Sequence, residues 1–348
     1  METKISFPLY SPGKCCDADR NHKILVADLR NINSSISLYS CIDETILKSA
    51  ESTFVTSGFS SLAEMVKTFL EKNPTEIQIL SIAVPGPVIN GKCVTPHLPW
   101  TVDTQELSTQ FGIARVCLIN DLEAIAYSLA DLDSSKLQIL HTSTNKVKGN
   151  VAILAPGNGL GEAGLFWDGK FLRPFATEGG HTEFSPRNEL EIQFYQFLTK
   201  IYGIVTWENV LSKEGMYNIY RFLRDVGRHH EDAWLAERIQ HEDFLTVIGE
   251  VGREKKSRLV NLTLEMYAEF LAREANNLVL KLKATGALII TGEIPETVFD
   301  DFSKDKFYKD FTISDRMEHL LKDIPIYLVH NDSGISDGAA YYGAFTEV

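Results

Sequence analysis

Apolar positions along this chain fall into two patterns, short unbroken runs and helix-spaced stripes, and the two predict different elements. KILVADL, with its apolar run from Ile24 to Leu29, is followed by the alternating SISLYS, and together they predict a β-hairpin. Leu62, Met65, Val66 and Phe69 recur at helical spacing, predicting a helix over residues 61–70. IQILSIAV then predicts a buried strand, Pro85-Gly86-Pro87 a break, and Asn90-Gly91 a tight hairpin. A further buried strand, RVCLIN, runs into a helix with Leu122, Ile125, Ala126 and Leu129 on one face.

After about Asn150 the pattern starts again. VAILAP predicts a buried strand, and GLGEAGLFWDGKFLRP two strands around an Asp168-Gly169 turn. Residues 190–283 are mostly helical, the longest amphipathic piece covering 257–283. ALIITG and IPIYLVH are two more strands, and SGISDGAAYYGAF is a helix of small residues. Strands alternating with helices give an α/β class with sheets in two lobes. Residues 1–20, broken by Pro8, Pro12 and Gly13, are expected to form an irregular extension.

The 348 residues, 44% apolar, suffice for two lobes with separate cores or for one large domain. A formal charge of −13 without any basic run argues against nucleic acid as a partner. No stretch is apolar enough to span a bilayer, so no membrane partner is expected. The first twenty residues lack the apolar core of a signal peptide, and the expected location is cytoplasmic. Cys15, Cys16, Cys41, Cys93 and Cys117 match no zinc spacing and read as reduced thiols.

Open α/β sheets place ligands where strands end. Four such ends carry polar or glycine residues: Asp28, Asn120-Asp121, Gly157-Asn158-Gly159 and Gly292. From local pattern alone, Asp121 reads first as the cap of the helix that follows, Asp28 as a turn residue, and the glycines as hairpin geometry. The Gly-x-Gly fits neither a dinucleotide fingerprint nor a P-loop. TEGGHTEFSP gathers Glu178, His181 and Glu183 about two glycines, but no second cluster supports a metal there, and a surface turn is the plainer reading. Glu208 by itself is a helix-start carboxylate.

Five motifs in one order change the balance: LINDLEAIAYSL, APGNGLGEAGL, EGGHTEFSP, WENVLSKEGMYNIYR and PIYLVHNDSGISDGAA. From about Lys23 to Ala344 the sequence resembles the bacterial glucokinase family, of the two-lobed actin-like (ribonuclease-H-like) sugar-kinase fold. The resemblance implies a small α/β domain of residues 21–121 plus 335–348 and a large α/β domain of 122–334 with a helical insertion. It implies a pocket for glucose or a related hexose from Asn120, Asp121, Glu178, His181 and Glu208, with Asp121 as the base that takes the 6-hydroxyl proton. It places Asp28, Asn33, Gly157, Asn158, Gly159 and Gly292 on the ATP side, with ATP and Mg2+ as cofactors, and suggests a homodimer. Carboxylates, Asn and His suit this task, because sugar hydroxyls need acceptors and donors in fixed geometry.

The sequence departs from the family on the phosphate side. Where the family reads Asp-x-Gly-Gly-Thr-Asn, this chain reads Asp28-Leu29-Arg30-Asn31-Ile32-Asn33. The family's Gly-Thr-Gly is Gly157-Asn158-Gly159 here, its Gly-Gly is Gly292-Glu293, and His97 falls near an Asn position. The resemblance thus implies an ATP-dependent hexose kinase with an altered phosphate loop; the alternative is a degenerate homologue that binds sugar as a sensor or regulator.

Overall fold

The computed structural model describes residues 5, 7–15, 22–143, 147–298, 304–330 and 333–346. The chain forms two compact units, one of residues 1–134, 168–176 and 332–348, the other of 135–167 and 177–331. Cys16, Asn331, Asp332 and much of the expected 1–20 extension lie outside the described residues.

In chain order the first unit begins with β1 (His22–Asp28), β2 (Asn33–Ile42), β3 (Thr45–Val55), α1 (Leu62–Lys72), β4 (Ile79–Val84), β5 (Lys92–Cys93) and β6 (Val102–Asp103). It continues with α2 (Thr104–Phe111), β7 (Arg115–Asn120) and α3 (Asp121–Ser128). Its main sheet runs β3-β2-β1-β4-β7, antiparallel from β3 to β1 and parallel from β1 to β7. One sheet face buries Leu25, Ala27, Ile36 and Leu38 against Leu62, Met65, Val66 and Phe69 of α1, the stripe expected from the sequence. Asn90 and Gly91 hold φ of 51° and 72°, as the predicted tight hairpin requires. β3 had no counterpart in the sequence reading. It follows a two-residue turn in which Asp43 and Glu44, neither a glycine, take φ of 49° and 62°.

The second unit contains β8 (Leu137–His141), β9 (Val151–Pro156), β10 (Leu160–Trp167), α4 (Glu189–Tyr202), α5 (Glu208–Leu211) and α6 (Lys213–Asp225). It goes on through α7 (Ala233–His241), α8 (Phe244–Arg253), α9 (Arg258–Leu282), a strand at Ala287–Ile290 and three short helices, to a strand at Ile326–Val329. α9 starts at Ser257, whose hydroxyl caps Val260 N–H, and stops at Lys283, in the left-handed conformation. Its buried face meets β9, α6 and the aromatic residues Phe184, Phe194 and Phe222.

The unit boundaries differ from the expected ones. The break falls after residue 134 rather than 121, because α3 packs against the last helix, Gly334–Phe345. Gly338 of that helix comes so close that a Cβ there would collide with the carbonyl of Ala124. Residues 168–176 join the first unit through a parallel bridge from Leu172 to Leu9. The described part of the expected extension buries Phe7 and Leu9 and makes a 3-10 turn at Pro12–Cys15, so it is more ordered than its breakers implied.

Candidate active site

At the start of α3 the two polar residues divide the work. Asn120 is the cap: its Oδ1 accepts from Leu122 N–H at 2.9 Å and Glu123 N–H at 3.4 Å, and its Nδ2 donates to the Gly86 carbonyl at 3.2 Å. Asn120 is buried, and it ties the helix start to the Pro85-Gly86 loop. Asp121 sits in the first helical turn, half-buried, its Oδ1 accepting from Leu122 N–H at 2.8 Å. A carboxylate there is favoured by the positive end of the helix. The cap reading drawn from the sequence thus belongs to Asn120, one residue earlier. Two residues on, burial pushes Glu123 up to about 7.

The other first-unit candidates, Asp28 and Asn33, flank the altered loop. Asp28 is buried at the end of β1, and Arg30 donates to it through Nε at 3.1 Å and Nη2 at 2.8 Å. Thr56 Oγ1 donates to the Arg30 carbonyl at 2.7 Å, and Ser34 Oγ accepts from Arg30 N–H at 3.0 Å. None of residues 29–33 has a positive φ, so this loop takes a shape that ordinary side chains allow. Asp28, Arg30 and Asn33 line a cleft of about 320 Å³ with Lys48, Ser333 and Ser336.

In the second unit the candidates gather around the start of β10. Gly157 N–H donates to the Gly159 carbonyl at 2.9 Å, closing the loop, and Asn158 is exposed at its tip. Glu208 Oε2 accepts from Leu160 N–H at 3.2 Å, and a Cβ on Gly159 would lie 2.6 Å from that oxygen. The Glu178–His181 segment is a 3-10 turn closed by His181 N–H on the Glu178 carbonyl at 3.1 Å. Trp207 N–H donates to the Thr182 carbonyl at 3.0 Å and Phe184 N–H to the Val205 carbonyl at 3.0 Å, which holds that turn beside Glu208. Glu178 and His181 are exposed, Glu208 half-buried. Gly292 has φ of 99° and backs onto the Pro156 carbonyl, a close approach that needs glycine. Glu293, where the family has glycine, reaches Lys213 at 2.5 Å, and Lys213 N–H donates to the Gly157 carbonyl at 2.8 Å, so this departure braces the glycine loop.

Two buried groups of this unit escaped the sequence reading. Arg273 of α9 donates to Glu191 at 2.6 Å and to the Ser185 carbonyl at 3.0 Å, with its guanidinium 4.9 Å from the Phe184 ring and 5.1 Å from the Trp207 ring. Glu162 of β10 lies under Gly179, where a Cβ would collide with its Oε2. The signal for each was a charge on an otherwise apolar face.

The glucokinase family model matches residues 25–344. The chain belongs to the glucokinase family. A glucokinase of Nostoc punctiforme (strain ATCC 29133 / PCC 73102) is 31% identical over 336 residues, covering 92% of this chain and 98% of its own. Among solved structures, Balamuthia mandrillaris glucokinase in complex with glucose superposes with a TM-score of 0.78 at 17% identity, covering 96% of each chain. A glucokinase of the ROK family from Streptomyces griseus in complex with glucose and AMPPNP gives 0.61 at 15% identity, covering 92% of this chain and 99% of its own. At such identities these two speak to the fold, which is the actin-like sugar-kinase fold expected from the motifs. Among the described residues no helix is long and apolar enough to cross a membrane.

Proposed function

We propose that this member of the glucokinase family transfers the γ-phosphoryl group of ATP to the 6-hydroxyl of glucose, with Asp121 as the base. The observation that carries the proposal is the start of α3. Asn120 caps the helix, so Asp121 is held in its first turn with a carboxylate that the helix end favours. Phosphoryl transfer is loose, so the base mainly orients the attacking hydroxyl and accepts its proton as the bond forms. Glu178, His181 and Glu208 supply acceptors and donors for sugar hydroxyls, and a sugar lacking one would leave a protein group unpaired.

The ATP side fits in part. The cleft at Asp28 and Asn33 and the open space over Gly157 have room for phosphate oxygens, and Asn158 can donate to one. No group of three or more His, Cys, Asp or Glu side chains among the described residues is placed to hold a metal ion alone, so Mg2+ would come with the nucleotide, which suits that ion. ATP supplies the phosphoryl group, and Mg2+ spreads its charge. This chain's residues position and shield. Assembly as a homodimer rests on the resemblance.

A coupled assay with ATP and a sugar panel, beside titration calorimetry, tests this. Glucose should bind at millimolar concentration or better, lose binding in Glu178→Ala, and drive ATP turnover. Glucose binding without turnover for any sugar would make the protein a sugar-binding regulator instead.

A further inference from the structure

Glu162 and Glu274 are both buried, at 2% and 0% exposure, and share a side-chain hydrogen bond. Two carboxyls can do so only if one holds a proton. Glu274 already accepts from Asn277 Nδ2 at 2.7 Å and Lys281 Nζ at 3.2 Å, so it is the carboxylate and Glu162 the acid. Among the described residues Glu162 Oε1 meets no N–H or O–H donor. Its Oε2 lies against Gly179, and Thr177 joins the two: its Oγ1 donates to the Glu162 carbonyl at 3.0 Å and accepts from Gly179 N–H at 3.2 Å. Gly180 rests in the same way on the Leu160 carbonyl. The Glu178–His181 turn is therefore seated on β10 at two points, one of them a carboxylic acid.

We propose that Glu162 is a positioning residue for the sugar turn: as a neutral acid against Glu274 it seats Gly179, and its ionisation unseats the turn and weakens hexose binding. The role of the turn in binding sugar rests on the function proposed above; the seating does not. A second buried negative charge beside Glu274 would repel it, and at 2% exposure bulk solvent cannot screen that charge well. Burial first, and then the Glu274 charge, push Glu162 up to about 8, while Lys281 acts the other way. Of the elements packed on Glu162, α9 brings Glu274 and Lys281, the turn brings exposed Glu178 and His181, the strand Leu172–Thr177 carries Arg173, which pairs with Asp168, and β9 brings no ionisable side chain.

The test uses the whole protein at pH 7 and pH 9. Hydrogen exchange over residues 177–184, corrected for the intrinsic base-catalysed rate, should lose about tenfold in protection in the wild type, as expected one pH unit above such a titration. Glucose KM should rise by a similar factor while kcat changes less. Glu162→Gln keeps the shape and stays neutral, so both changes should vanish. Glu274→Gln removes the repelling charge while burial still raises Glu162, so the loss should move to lower pH and shrink between pH 7 and pH 9, which covers the case in which the first variant folds poorly. Flat wild-type protection, or a loss unchanged in both variants, would overturn the proposal. Exchange that behaves as expected in a protein with no affinity for glucose would keep the seating and overturn the sugar role.

Discussion

Replacing Arg273 with Met should destabilise the second unit by about 4 kcal/mol. Both partners of the Arg273–Glu191 pair are 5% exposed, so Met would leave Glu191 as a buried carboxylate lacking its cation. Breaking such a pair from one side costs about 3–5 kcal/mol. The Ser185 carbonyl would also lose its donor, worth about 1 kcal/mol, and the contacts with Phe184, Trp207 and Phe270 their cation. Met fills much of the same volume and recovers a part. For a domain of this size the loss corresponds to a fall of about 10 °C in Tm, measured by scanning calorimetry. Under the proposed function glucose KM should rise as well, because Arg273 ties together the segment after the Glu178–His181 turn and Trp207, which precedes Glu208. The double variant Arg273→Met with Glu191→Gln should recover about 1–3 kcal/mol against the sum of the singles, since no orphaned charge then remains. A Tm drop below about 3 °C, or strict additivity in the double variant, would refute this reasoning.

Asp121→Asn should lower kcat by about 10²–10⁴-fold in the coupled assay and leave calorimetric glucose affinity near wild type, because Asn keeps the shape but cannot take the proton. Replacing Arg30-Asn31-Ile32 with Gly-Gly-Thr should raise kcat/KM for ATP, by up to roughly a hundredfold if one phosphate donor is restored; a fall would show that Arg30 itself clamps phosphate. Burial raises Glu123 to about 7 and Glu162 to about 8, both from 4.5. The folded state therefore keeps protons that the unfolded chain releases, and this stability, full below about pH 4.5, is lost as pH rises to about 8. Tm should fall across that window, and Glu123→Gln should flatten the part below about pH 7.

Elements set by strong local rules were legible: the Asn90-Gly91 hairpin, the helix stripe of α1, and the extent of α9. β3 was not, because its turn is built from Asp43 and Glu44, which carry no turn signature despite their left-handed backbone. Its edge position leaves a mixed, half-exposed face that resembles a loop in sequence. In the site, residue types and order suggested which side chains to propose for sugar and nucleotide, but not that Asn120 rather than Asp121 caps the helix. The cap depends on where the helix begins, and a sequence pattern does not fix a helix start to one residue. Glu162 and Arg273 stayed hidden because their partners, Glu274 and Glu191, are distant in sequence.

The helix Gly334–Phe345 covers β1, β4 and α3, with the Ser81 hydroxyl bonded to the Ala339 carbonyl at 2.6 Å and Gly343 resting on Ile79. During synthesis it is made some 200 residues after α3, a delay of about 10–40 s at roughly 5–20 residues per second. Until it emerges, one side of the first sheet lacks its cover, a state in which nascent chains stick to one another or to chaperones. A premature stop just ahead of this helix would spare Asp28, Asp121 and the other residues proposed for sugar and nucleotide, take only Ser336 from the wall of the Asp28 cleft, and leave the sheet that carries Asp28 and leads to Asp121 bare on one side. Such a truncation would act through solubility, about 250 residues along the chain from the strands it harms.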